Sequence, residues 1–234
     1  MNQPTSEAII SLQDVNKVFQ NGSIRFAALK EINAHFYPGE FVSVVGRSGS
    51  GKSTLANMIT GIDHPTTGAV LINGTAIHKL NESKMSIWRG RNLGIVFQFF
   101  QLMPTLTILE NVLLPMDLTE DLPLVQREQR AMELLAMVEL NDFCDQYPDQ
   151  VSTGQQQSAA IARALANDPP ILIADEPTGN LDSRTAETIF GIFVNLVQQG
   201  KTIIMVTHDN TLAKRTDRVL RISDGCLLDP TQEQ

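Results

Sequence analysis

The run Gly46-Arg47-Ser48-Gly49-Ser50-Gly51-Lys52-Ser53 has the spacing Gly-x-x-x-x-Gly-Lys-Ser, which cradles phosphate in backbone. Its glycines let the chain turn N–H groups inward, and a helix starting near Lys52 adds its positive end. In that arrangement Lys52 reaches the β- and γ-phosphates of a nucleotide, and the Ser53 hydroxyl ligates Mg²⁺. A second candidate is Ile171-Leu172-Ile173-Ala174-Asp175-Glu176, an apolar run ending on two carboxylates. Ligands of open α/β sheets sit at the carboxyl ends of strands, so these carboxylates and the glycine-rich loop can converge. Asp175 would then hold Mg²⁺ through water, while Glu176 orients and deprotonates an attacking water. A third candidate is Val151-Ser152-Thr153-Gly154-Gln155, just ahead of an Ala-rich stretch. A hydroxyl and a glycine there either cap the helix or bind an anion, and both readings stay open.

These groups need strands and helices to position them. Phe41–Val45 is a β-branched run leading into the glycine-rich loop, and Lys52–Thr60 reads as a helix closed by Gly61. Further strands are predicted at 69–72, 93–97, 171–174, 203–207 and 219–222. Several are continuous apolar runs, the mark of strands covered on both faces. Helical periodicity appears over 126–138, 156–166 and 185–199. The alternation predicts an α/β fold with a mostly parallel sheet. Ahead of it, Ile10/Leu12, Val18-Phe19 and Ile32/Ala34/Phe36, punctuated by Asn21-Gly22 and Pro38-Gly39, predict an N-terminal antiparallel β subdomain. Residues 99–157 show no convincing strand and read as a helical insertion.

Composition bounds the rest. The chain has 234 residues, 42% hydrophobic and 19% charged, enough to bury a core unaided. Two cysteines, Cys144 and Cys226, are too few for a disulfide framework or a four-ligand zinc site. They read as inert free thiols in a reducing compartment. Residues 1–7 lack the basic end and apolar stretch of a secretory signal, and no window approaches the ~20 apolar residues of a membrane helix. A net charge of −8 argues against nucleic acid as a partner.

The order of these motifs resembles the nucleotide-binding subunit of ABC transporters, over residues 8–229. The resemblance implies a P-loop NTPase (RecA-like) core at 8–98 and 158–229, with a helical subdomain at 99–157. It implies ATP and Mg²⁺ as ligands, with the phosphates held by Gly46 to Ser53 and Thr54. Phe19 lies where the family stacks an aromatic residue on adenine. Gln98 matches the glutamine that contacts Mg²⁺ and the attacking water, and Asp182, in Gly179-Asn180-Leu181-Asp182, matches the aspartate that crosses a dimer interface. His208 matches the histidine that touches the γ-phosphate beside the base Glu176. Ser152, Gly154 and Gln155 belong to the signature that meets ATP held by the opposite subunit. The phrases at 107–112 and 175–182 resemble the branch of lipoprotein-releasing LolD, macrolide-export MacB and cell-division FtsE ATPases.

One departure stands out. The family signature is Leu-Ser-Gly-Gly-Gln, often followed by Gln-Gln-Arg, whereas Val151, Thr153 and Ser158 stand here for the leucine, the first glycine and the arginine. A β-branched residue narrows the backbone and adds bulk, so slower turnover is expected. The resemblance further implies a dimer, or a pair with a second ATPase subunit, peripheral to the cytoplasmic face of the inner membrane. Separate permease subunits would dock on the apolar insertion, first near Phe99, Phe100 and Leu102. Two other readings remain: a weakly hydrolysing regulatory ATPase gating a membrane partner, and a soluble non-transport ATPase. The second usually carries tandem cassettes or basic extensions, which this acidic chain lacks.

Overall fold

The computed structural model describes residues 7–228; the expectations about residues 1–6 and a limit at Asp229 lie outside them. The chain opens with β1 (Ile10–Asn21), β2 (Ile24–Phe36) and β3 (Phe41–Val45), then α1 (Lys52–Thr60), β4 (Thr67–Ile72) and β5 (Thr75–Ala76). Next come α2 (Glu82–Asn92), β6 (Leu93–Val96), α3 (Ile108–Thr119), α4 (Leu124–Met137) and α5 (Thr153–Ala164). It closes with β7 (Ile171–Asp175), α6 (Ser183–Gln198), β8 (Thr202–Thr207), α7 (Asn210–Ala213), β9 (Arg218–Ser223) and β10 (Cys226–Leu228).

Two sheets form. The antiparallel one has the order β2-β1-β4-β5, and the larger has the order β10-β9-β3-β8-β7-β6. Every pair in the larger sheet is parallel except β10 on β9. Its central strands read as unbroken apolar runs because their two faces fill different cores. Ile171 and Ile173 of β7, with Ile204 and Val206 of β8, pack toward α1 and the antiparallel sheet. Leu172, Ala174, Ile203 and Met205 pack toward α3, α4, α5 and α6. Side chains alternate along a strand, so neither face can be polar.

Several expected elements differ in extent. The first N-terminal run, Ile10 to Phe19, lies in one 12-residue strand, interrupted by register shifts between Leu12 and Val18, with Asp14 at φ +48°. That bulge breaks the two-residue alternation. Helix α2 gave no periodic signal because Met85 is its one buried residue; Asn81 caps it, accepting from the Lys84 N–H. Helix α3 runs through Pro115 and starts on a reciprocal cap between Thr107 and Glu110. The division expected between 157 and 158 falls inside α5, which runs unbroken, and residues from both sides of it share one core. Both thiols are free; Cys144 is half-buried and Cys226 exposed.

Candidate active site

Strand register brings the candidate groups to one edge. Val45 pairs with Thr207, Asp175 with Val206, and Val96 with Ala174, so four parallel strands end together. The residues that leave those ends are Gly46, His208, Glu176 and the segment with Gln98. Sequence-distant residues therefore meet because the sheet is parallel, not because of any local pattern.

The loop between β3 and α1 is held by close approach. A Cβ on Gly46 would lie 2.3 Å from the Ile222 carbonyl, and one on Gly51 would lie 2.6 Å from the Ala28 carbonyl. Gly51 is also left-handed, with φ +110°, at the helix start. Lys52 is 8% exposed, and its ammonium donates to the Gly46 carbonyl at 2.9 Å and the Arg47 carbonyl at 3.1 Å. Arg47, Ser48, Gly49 and Ser53 are exposed, Thr54 is half-buried, and the Ser50 hydroxyl is buried with no hydrogen-bond partner.

Asp175 lies beside this loop. Burial pushes its carboxyl above the usual carboxylate range; the Ser53 hydroxyl opposes that shift, nearby Glu176 adds to it, and Lys52 opposes it. Its Oδ1 is buried and has no hydrogen-bond partner. A hydroxyl and an orphaned carboxylate oxygen suit a hard divalent cation. Among the described residues no group of three or more His, Cys, Asp or Glu could hold a metal.

Glu176 has φ +48°, uncommon for a side chain of its size, and its N–H donates to the Val206 carbonyl at 2.9 Å. Its Oε2 faces His208, 2.8 Å from Nδ1 and 3.3 Å from the backbone N–H. Its side chain is 12% exposed, that of His208 67%. Gln98 connects to the next loop through the Asn180 amide, which donates to its carbonyl at 3.4 Å. Phe19 is half exposed near the tip of the β1–β2 hairpin, with the Lys17 ammonium 4.9 Å from its ring centroid.

The signature residues bond within their own helix start. Ser152 caps α5, accepting from the Gln155 N–H at 3.3 Å, and Gln155 Oε1 accepts from the Ser152 N–H at 2.8 Å. The capping reading of Ser152 is therefore realised. Thr153 is exposed at the first helical position and is not among the residues with positive φ, so the expected backbone restriction does not apply. What remains is side-chain bulk. A Cβ on Gly154 would lie 2.6 Å from Cγ2 of Thr185. Asp182 caps α6: Oδ1 accepts from the N–H groups of Arg184 and Thr185, and Oδ2 accepts from the Thr185 hydroxyl at 2.6 Å. That hydroxyl bond, with the backbone bonds, holds its carboxyl below the usual range. Thr185 thus joins the starts of α5 and α6.

The ABC transporter family matches residues 29–179, most of the chain. The chain belongs to that family. It is an ATP-binding, ATP-hydrolysing member. The ATP-binding protein MJ0796 of Methanocaldococcus jannaschii is 44% identical over 221 residues, covering 93% of this chain and 94% of that one. The structure of MJ0796 as a post-hydrolysis dimer bound to ADP and Pi superposes with a TM-score of 0.89, over 94% of this chain and 97% of that one. The macrolide export ATP-binding/permease protein MacB of Brucella melitensis is 42% identical over 97% of this chain, which spans 35% of MacB. The α/β ABC ATPase fold expected from the motifs is the fold observed.

Sequence reading missed a groove. About 750 Å³ opens between α2, β6, α3 and α5, walled by Ile87, Leu93, Phe97, Leu114 and Leu118, with Arg163 at its side. Ile87 and Leu118 are largely exposed. Phe99, Phe100 and Leu102 do not line it; Phe99 is exposed and the other two are half-buried. Met85, Ile87 and Trp88 are clustered rather than spaced along α2, so no stripe marks the helix.

Proposed function

We propose that two copies of the chain close head to tail around two ATP molecules. Each nucleotide would lie between the loop Gly46–Ser53 of one copy and Ser152–Gly154 of the other. The observation that carries this is the exposed α5 start, where the side chains of Ser152 and Gln155 bond only to each other's backbone. Helix α5 packs on α3, α4 and β6, and its exposed cap residue Ser152 makes no bond to the phosphate loop. A second chain completes the site. Light scattering of the Glu176→Gln protein with MgATP tests it: a doubled mass supports pairing, and a monomer overturns it.

In this reading Lys52 neutralises the β- and γ-phosphates, and Phe19 stacks on the adenine. Gly46 to Thr54 wrap the phosphates, with backbone N–H groups as donors. Ser53, Asp175 and Gln98 would hold Mg²⁺, which supplies charge neutralisation between the β- and γ-phosphates when bound. Glu176 takes the proton of the attacking water, and His208 fixes the carboxylate and reaches the γ-phosphate. Ser152 and Gly154 donate from across the seam, and Asp182 lies along it. Catalysis is positioning plus charge stabilisation, and loss of the γ-phosphate releases the closed pair.

Thr153 adds a branched side chain where the family carries none. Thr153→Gly is expected to raise turnover severalfold with little change in ATP affinity, read from steady-state phosphate release. Unchanged turnover would clear Thr153 of that role.

Among the described residues no helix is long and apolar enough to cross a membrane, so in this reading the membrane-spanning part lies outside them. We assign its contact to the groove between α2 and α3, where a short amphipathic helix fits by apolar burial. The docking expected near Phe99, Phe100 and Leu102 would then be a flank of it. Leu118→Asp is expected to abolish co-purification with the membrane partner in detergent while ATP binding is retained. Intact assembly of that variant would move the contact elsewhere. In this reading the chain is peripheral to the cytoplasmic face of the inner membrane.

A further inference from the structure

From Phe97 to Thr107 the chain has no regular structure, and Gln98 stands near its start. Backbone of this kind keeps one shape only where other groups take up its carbonyls and N–H groups. Besides the Glu110 cap at Thr107, three side chains do that here. Asn180 donates to the Gln98 carbonyl at 3.4 Å. Asn111, fully buried, accepts from the Met103 N–H at 2.7 Å and donates to the Met103 and Leu106 carbonyls at 3.1 Å. Arg163, near the end of α5, donates through Nη2 to the Phe100 carbonyl at 2.7 Å and through Nη1 to the Gln101 carbonyl.

The third tie differs in kind. It spans more than sixty residues and uses both arms of a planar fork, a geometry no other side chain reproduces. No carboxylate forms an ion pair with Arg163 among the described residues, and burial lowers its pKa. The charge is therefore directed at two peptide carbonyls. Gln101 itself holds a left-handed backbone at φ +54°, a conformation that persists where neighbours impose it. Helix α5 is a 12-residue rod with Ser152 capping one end and Arg163 in its last turn. The fork thus pins the loop that follows Gln98 to the helix that Ser152 begins.

We propose that Arg163 is a positioning residue for Gln98, clamping the loop at Phe100 and Gln101 so that the Gln98 side chain is held toward the nucleotide. This rests on the reading of Gln98 as a Mg²⁺ and water contact. It adds a mechanical link within one chain: movement of α5 is transmitted to the Gln98 loop through two hydrogen bonds. Lysine would keep the charge but lose the fork.

A double-mutant cycle on the full chain tests this. ATP turnover is measured against MgCl₂ concentration at saturating ATP for the parent, Gln98→Ala, Arg163→Ala, Arg163→Lys and the Gln98→Ala combinations. Misplacing a contact group by about an ångström costs up to roughly 100-fold in rate, so Arg163→Ala should lose about ten- to 100-fold in kcat. It should also raise the half-saturating Mg²⁺ severalfold, with Arg163→Lys in between. If Arg163 acts through Gln98, its replacement has little further effect once Gln98 is alanine. Additive losses, or a Mg²⁺ dependence unchanged by Arg163→Ala while Gln98→Ala shifts it, would overturn the proposal and leave the Gln98 reading standing. If Gln98→Ala changes neither quantity, the reading of Gln98 falls first. Should Arg163→Ala fail to fold, the same cycle run with Arg163→Lys decides by the same criterion.

Discussion

Glu176→Gln is expected to cut ATP turnover by about 10²- to 10⁴-fold while leaving ATP binding intact, the range a positioned general base contributes. The substitution is nearly isosteric, and the glutamine oxygen can still accept from the His208 N–H that now lies 3.3 Å from Oε2. What disappears is the basic lone pair. Two features make this site intolerant of a substitute base. The Glu176 backbone sits at φ +48°, and its side chain is 12% exposed beside a His208 imidazole 2.8 Å away. Backbone and partner together fix one direction for the carboxylate. Single-turnover phosphate release, with bound nucleotide measured in parallel, separates chemistry from binding. Turnover within tenfold of the parent would remove Glu176 from the role of base.

Lys52→Ala should weaken ATP binding by about 2–4 kcal/mol, roughly 30- to 700-fold, as expected when one partner of a buried charged contact is truncated. Lys52 is almost fully buried, yet its ammonium has two carbonyl partners within the loop and no carboxylate bonded to it. Carbonyl dipoles satisfy donors but do not neutralise a charge, so the site favours an anion. Calorimetric titration with ATP in the presence of MgCl₂ reads the affinity. An affinity within threefold of the parent would show that the backbone N–H groups alone hold the phosphates.

Much of the site was legible because its motifs are local. Gly46–Ser53 and Asp175-Glu176 each lie at a strand end, and the apolar runs that carry them are doubly buried, which makes those strands conspicuous. His208 and Gln98 became legible only through the resemblance, since a lone histidine or glutamine after a strand has no pattern of its own. The structure brings them to the same edge through parallel register. Helix α2 escaped because a helix with one buried residue has no stripe. Arg163 escaped because its partners are peptide carbonyls, which every residue has. The alternation along β1 fades between Leu12 and Val18 because its bulge resets the pleat.

Thr185 carries a consequence for how the molecule tolerates change. Its hydroxyl is gripped by Asp182 and its methyl lies where any side chain at position 154 would intrude. The beginnings of two helices are therefore dovetailed. A bulky residue at 154 would wedge them apart, and under the proposed pairing the surface offered to a twin molecule would engage or withdraw as a single piece.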